Sequence, residues 1–441
     1  MEMSMTSENK HSSVLPMMII GILFFIFGFV TWLNGSLIPF LKVICELNEF
    51  QALFVTFAFY IAYTFMALPM SYVLHKTGYK NGMALGLAIM AVGALLHIPA
   101  ALTANFMFFL VGLFVLATGL TILQTASNPY IVYIGPKESA AMRISIMGLI
   151  NKSAGVLVPI VFTVVILSGM GNISEEHIAS LDPVQHSQLL SDLSLRLIQP
   201  YIIMAIALVL LIALVKFSAL PELDFDDDKE LASDEKKSIT QYPQIILGAL
   251  ALFAYVGVEV IAGDTIGLYG SSLNVANFAG LTSYTMVFMV IGYLIGIFGI
   301  PRYISQEKAL IGSAIAGSFC ILGVMFSSTE STWIAGYIWG WSGIPVLPNT
   351  ITFVALMGLA HALVWPSIWP LALEGLGKYT AQGSALLIMG ISGGAILPLI
   401  FGKLSQTLGD TQFAYIVGLP CYLFILFYAL VGHKMKTWTL K

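Results

Sequence analysis

Three charged side chains fall well inside long apolar stretches of the chain: Lys152, Glu259 and Asp264. A charge at the centre of a bilayer costs ~2.5–3.5 kcal/mol on insertion scales, so such residues face a bundle interior or a cavity and mark function. Lys152 stands nine residues beyond Arg143, ~13 Å along a helix and too deep for easy snorkelling. Glu259 lies fourteen residues into its stretch and Asp264 five further on. A buried carboxyl can gain and lose a proton near neutrality, and an ionised one can ligate Na⁺. Glu259 and Asp264 are therefore the candidates for cation coupling. The plainer alternatives are a structural ion pair between helices for Lys152 and a solvent-wetted carboxylate near the outer interface for Asp264.

Amides and aromatics complete the set. The turn after the stretch holding Gln124 centres near residue 138, and Gln124 and Lys152 each lie fourteen residues from it. Both should therefore sit at one depth. An amide donates and accepts whereas an ammonium only donates, a combination that suits the ring and hydroxyl oxygens of a sugar. Asn34 and Asn128 are further intramembrane amides, available for sugar contact or for helix packing. Trp32 and Trp365 could offer a flat apolar face to a pyranose ring, although Trp is also common at membrane interfaces. His97 and His361 are read as packing or interface residues. There is no zinc-ligand spacing and no phosphate loop of the ATPase kind, and the buried charges form no recognisable catalytic set. Neither an enzyme nor an ATP-driven pump is expected, and no cofactor beyond a coupling H⁺ or Na⁺.

The elements that must hold these residues are transmembrane helices. Of the 441 residues, 58% are hydrophobic and only 10% charged, against roughly 25% charged in soluble domains; mean hydropathy is +0.90. About 20 apolar residues cross the ~30 Å hydrocarbon core as helix. Twelve such runs are expected, at 17–43, 53–74, 82–102, 106–133, 141–170, 200–219, 245–269, 281–300, 309–327, 350–372, 382–402 and 413–431. Twelve crossings put both termini on one side. That side carries 15 Lys and Arg residues, from Lys10 to Lys441, whereas Lys42, Arg196 and Lys403 fall on the other. The bias places both termini in the cytoplasm. Cys45, Cys320 and Cys421 are odd in number and separated, which speaks against a disulfide framework.

A polar stretch, Pro221 to Thr240, divides the chain, and its composition is that of a solvated linker. The halves are related. The run from Ser153 through Gly155 and Pro159 to Phe162 recurs 239 positions later, from Ser392 through Gly394 and Pro398 to Phe401. Gly119-Leu120 recurs as Gly358-Leu359 at the same offset. The expected organisation is an all-α membrane protein: a tail at 1–16, a six-helix bundle at 17–219, a linker at 220–243, a second bundle at 244–432 and a tail at 433–441. Such paired bundles hold a substrate near the midplane and expose it alternately to each side.

Gln124-Thr125-Ala126-Ser127-Asn128-Pro129-Tyr130, Gly135-Pro136, Arg143, Tyr255-Val256-Gly257-Val258-Glu259-Val260 and Gly393-Gly394 resemble the major facilitator superfamily. Within it they are similar to the fucose–galactose–glucose:cation symporter family. Lys76-Thr77-Gly78-Tyr79-Lys80 is similar to the superfamily's cytoplasmic loop motif without its usual Asp. The L-fucose-permease type carries an Asp where this chain has Gly35 and a Glu where it has Gln124, so its coupling mechanism does not transfer. Ile144 to Gly148 with Asn151-Lys152 look more like a branch that includes glucose/galactose and N-acetylglucosamine permeases. The resemblance implies a cation-coupled monosaccharide symporter. Asn34, Gln124, Asn128, Lys152, Trp32 and Trp365 would contact sugar, and Glu259 and Asp264 would couple the ion. The rival readings are a sugar uniporter, in which the fixed Lys152 charge replaces the cation, then a drug antiporter or a nontransporting sugar receptor. A monomer in a bacterial inner membrane is expected, with the lipid bilayer and a monosaccharide, but no nucleic acid, as partners.

Overall fold

The computed structural model describes residues 14–133, 140–166, 180–218, 220, 238–300, 302–376 and 379–438. Both chain ends, residues 167–179 with the end of the expected fifth span, and most of the expected linker lie outside the described residues.

Twelve helices are long and apolar enough to cross a membrane, and no strand occurs among the described residues. In order they are Val14–Ile44, Phe54–Thr77, Tyr79–Thr103, Phe106–Tyr133, Ala140–Ile166 and Ile198–Phe217 in the first half. The second half holds Pro243–Asp264, Thr282–Gly299, Gln306–Phe326, Asn349–His361, Thr380–Met389 and Gly418–Leu430. Several reach across only with neighbouring segments or run on after a break: the seventh continues as Ile266–Ser272, the tenth as Val364–Leu373 and the eleventh as Gly393–Leu408, and the twelfth is led in by Thr411–Ala414 and Tyr415–Val417. With no water in the hydrocarbon, every backbone polar group must be satisfied within its own segment, and helices do that. The sixth begins earlier than its apolar run suggests. Pro183–Arg196 forms a helix leading into it, started by Asp182, whose carboxylate accepts from the amides of Val184 and Gln185.

The halves form two six-helix bundles related by pseudo-symmetry, and the repeated glycines show it. On the fifth helix, a Cβ at Gly155 would lie 2.8 Å from Trp32 of the first and 2.9 Å from Met286 of the eighth. On the eleventh, one at Gly394 would lie 2.9 Å from both Val260 of the seventh and Tyr60 of the second. Each glycine thus lets its helix close on the first helix of its own bundle and on the second of the other. The third helix packs on the sixth and the ninth on the twelfth, away from the bundle interface. Their outer faces, with Ile206, Leu210, Phe319 and Leu423, are exposed and suit lipid contact.

Candidate functional site

Between the bundles lies a cavity of about 140 Å³, roughly ten times the ~10–15 Å³ that a single water requires. Its wall includes Gln124, Asn151, Lys152, Glu259, Trp32 and Trp365, with Tyr60, Tyr63, Tyr255 and Tyr293. Phe24, Ile131 and Ile144 extend it toward the face at which the first helix starts and the fourth ends.

Lys152 and Glu259 are drawn together across the bundle interface. The ammonium donates to Glu259 Oε1 at 2.8 Å, and the Tyr255 hydroxyl donates to the same oxygen at 2.8 Å. The Lys152 Nζ also lies 4.2 Å from the centre of the Trp32 ring, a cation–π contact. With relative exposures of 8% and 6%, both charges are largely desolvated. Removing one partner of such a pair costs ~3–5 kcal/mol because the other is left uncompensated. Trp32 is fixed in turn by donating from Nε1 to Asn151 Oδ1 at 3.3 Å. Behind the pair, the Tyr255 ring meets His361 edge-on at 5.9 Å, and His361 Nε2 is hydrogen-bonded to the Tyr422 hydroxyl.

Gln124 lines the cavity together with Lys152, which equal distance from the turn does not by itself require, and donates from Nε2 to the Tyr63 hydroxyl at 3.1 Å. Trp365 stacks on Trp369 with ring centres 5.3 Å apart. Asn34 does not line the cavity. It is buried, and its Nδ2 has no hydrogen-bond partner among the described residues. The side chain of Asn128 lies outside the described residues.

Asp264 ends the long part of the seventh helix, and Thr265 separates it from Ile266–Ser272. Here the structure departs from the solvent-wetted alternative: Asp264 is fully buried. Neither carboxylate oxygen has a partner in good hydrogen-bond geometry among the described residues, and the hydroxyl facing it belongs to Tyr60. The carbonyls at the break are held by threonines. Thr265 donates to Ile261, Thr285 to Ala262 and Thr282 to Gly263.

On the side of the break away from the termini the bundles are shut. Ser36 donates to the Ala279 carbonyl at 2.8 Å, Ser283 to Val156 at 2.8 Å and Thr163 to Asn277 at 3.3 Å. At Gly35 the first helix touches the seventh and eighth. A Cβ there would lie 2.2 Å from Thr282 Oγ1 and 3.0 Å from the Gly263 carbonyl. Gly35 is thus a point of direct helix contact.

Sequence reasoning missed the tyrosines and Asn151. Tyr255 had a usable signal, since it precedes Glu259 by four residues and so shares its helix face. Tyr60 and Tyr63 had none, being aromatics in an apolar run.

The family model described as Major Facilitator Superfamily matches residues 20–397. A glucose/galactose transporter of Brucella abortus (biovar 1, strain 9-941) is 35% identical, with 94% of this chain and 93% of that protein covered. An L-fucose-proton symporter of Escherichia coli (strain K12) is 29% identical, with 96% and 94% covered. A crystal structure of the E. coli fucose:proton symporter has a TM-score of 0.70 at 25% identity, covering 95% of this chain and 98% of that one. Another, of a superfamily transporter described in the outward conformation, has a TM-score of 0.71 at 26% identity over the same shares.

Proposed function

The chain belongs to the Major Facilitator Superfamily, and from that premise we propose that it imports a monosaccharide together with a cation, H⁺ or Na⁺, by alternating access. The observation that carries this is the cavity between the bundles, lined by two amides, four tyrosines, two tryptophans and a Lys–Glu pair. Hydroxyl and amide groups that both donate and accept match a neutral polyol, and the tryptophan rings match its apolar faces. Gln124, Lys152, Trp32 and Trp365 are assigned to sugar contact, with Asn128 proposed beside them from the sequence. Asn34, off the wall, is assigned to the closed half. Glu259 and Asp264 are the two carboxyls from which the coupling site is drawn. The relatives named for glucose and galactose support an aldohexose as substrate, ahead of N-acetylglucosamine or fucose.

In the uniporter reading the Lys152 ammonium, paired with Glu259 at 2.8 Å, takes the place of a bound cation; the coupled reading is favoured by Asp264, a second buried carboxyl that this ammonium does not pair. The excess of Lys and Arg on one side supports an inner-membrane protein with both termini and the linker in the cytoplasm. We assign it as a monomer that needs no cofactor beyond the coupling ion. Counterflow in proteoliposomes with labelled glucose, galactose, N-acetylglucosamine and fucose is the test. Exchange of glucose or galactose is expected, and failure to exchange any sugar would remove the assignment.

A further inference from the structure

Three intramembrane charges meet between the bundles, and they do not balance. Lys152 is matched by Glu259 at 2.8 Å, which leaves Asp264 without a cationic partner. Asp264 is fully buried, and neither of its oxygens has a hydrogen-bond partner in good geometry among the described residues. An ionised carboxylate held this way is strongly disfavoured against its neutral form.

The titratable groups facing it are few: Tyr60 from the second helix, Lys152 from the fifth and Glu259 from its own. The first and eighth helices bring uncharged groups to the break, Gly35 with Thr282 and Thr285. A dehydrated Na⁺ would need several converging oxygens. The break carbonyls of Ile261, Ala262 and Gly263 already accept from threonine hydroxyls. A single proton removes the excess charge without further ligands.

Two contacts relate this carboxyl to the two sides of the membrane. Its neighbour Gly263 forms part of the contact that shuts the far side, where Thr282 donates to the Gly263 carbonyl at 2.7 Å and Gly35 packs against both. Tyr60 both faces Asp264 and lines the cavity that extends toward the termini. We propose that Asp264 is the coupling-ion site and that the ion is a proton. It is taken up while the Gly35–Gly263–Thr282 contact is open, kept on the carboxyl while that contact is shut, and released past Tyr60 into the cavity. Only the Asp264 O–H bond forms and breaks, with one proton bound on one side and delivered to the other. Lys152 and Glu259 remain a neutral pair throughout. Tyr60 is a positioning residue on the release path.

The proposal rests on the cation-coupled sugar reading, so its test has one arm that needs no sugar. Infrared difference spectra of the full chain in lipid at neutral pH should show the carbonyl stretch of a protonated carboxyl. Asp264→Asn should remove that band, whereas removing the neutral pair together, Lys152→Met with Glu259→Gln, should leave it. A missing band, or one that survives Asp264→Asn, would overturn the proposal. In proteoliposomes, a pH gradient should drive sugar accumulation in the wild type, and Asp264→Asn should cut it at least about tenfold. Exchange by that variant should no longer vary with external pH, and Tyr60→Phe should slow proton release while keeping the infrared band. Undiminished pH-driven accumulation in Asp264→Asn, or wild-type accumulation driven by Na⁺ at fixed pH without proton movement, would also overturn it. Absence of wild-type sugar exchange would instead defeat the sugar assignment, with the infrared band still deciding the proton site.

Discussion

Gln124 lines the cavity and donates to the Tyr63 hydroxyl at 3.1 Å, so an apolar replacement leaves both Tyr63 and a bound sugar short of a partner. An unsatisfied buried polar group costs ~1–3 kcal/mol. Gln124→Leu should therefore lose at least about tenfold in sugar affinity, read by equilibrium binding to purified protein that inserts normally; unchanged binding would take Gln124 out of the site. Lys152, Glu259 and Asp264 were legible one by one, because a charge inside an apolar span is conspicuous. Their grouping was not. Residues 152 and 259 are joined only by the meeting of the two bundles, which no local spacing reports. The solvent-wetted alternative for Asp264 rested on its distance along the helix, and depth alone does not say that the first and eighth helices cover it.

The twelve spans could be read from the chain because hydrocarbon thickness fixes the length of an apolar run. Breaks were harder to place. Gly257, Gly263 and Gly267 allow a bend or a break in the seventh helix, and the helix does stop at Asp264, one residue past Gly263, and resumes at Ile266. Glycine only permits a break; the hydroxyls of Thr265, Thr282 and Thr285 hold the carbonyls beside this one. The same region makes the closed half a point of leverage. A side chain at Gly35 would meet Thr282 and the backbone of Gly263, so Gly35→Val should hold the first and seventh helices apart and favour opening on that side. Thr31, on the cavity wall, reports this when changed to Cys in a chain lacking its three native cysteines. An impermeant maleimide applied to whole cells should label Thr31→Cys several-fold faster when Gly35→Val is present. Equal rates would show that the contact does not gate the cavity.

Across the molecule, the repeat at Gly155 and Gly394 proved a sound guide, because duplicated bundles reuse the same close approach at equivalent crossings. The side to which the cavity extends was not legible, since one sequence must serve both the outward and inward arrangements. Orientation in the membrane follows from the basic residues. Gln185, exposed on the helix leading into the sixth span, should face outward, and Ala232 in the linker should face the cytoplasm. Gln185→Cys should react with external maleimide and Ala232→Cys should be spared; the reverse pattern would invert the topology. Coupling between the movement of sugar and that of a cation is read out by uphill transport. Purified chain in proteoliposomes, given labelled glucose or galactose and an imposed H⁺ or Na⁺ gradient, should raise internal sugar above the external concentration for as long as the gradient lasts. Uptake that never passes equality under either gradient would make the protein a uniporter and contradict the account.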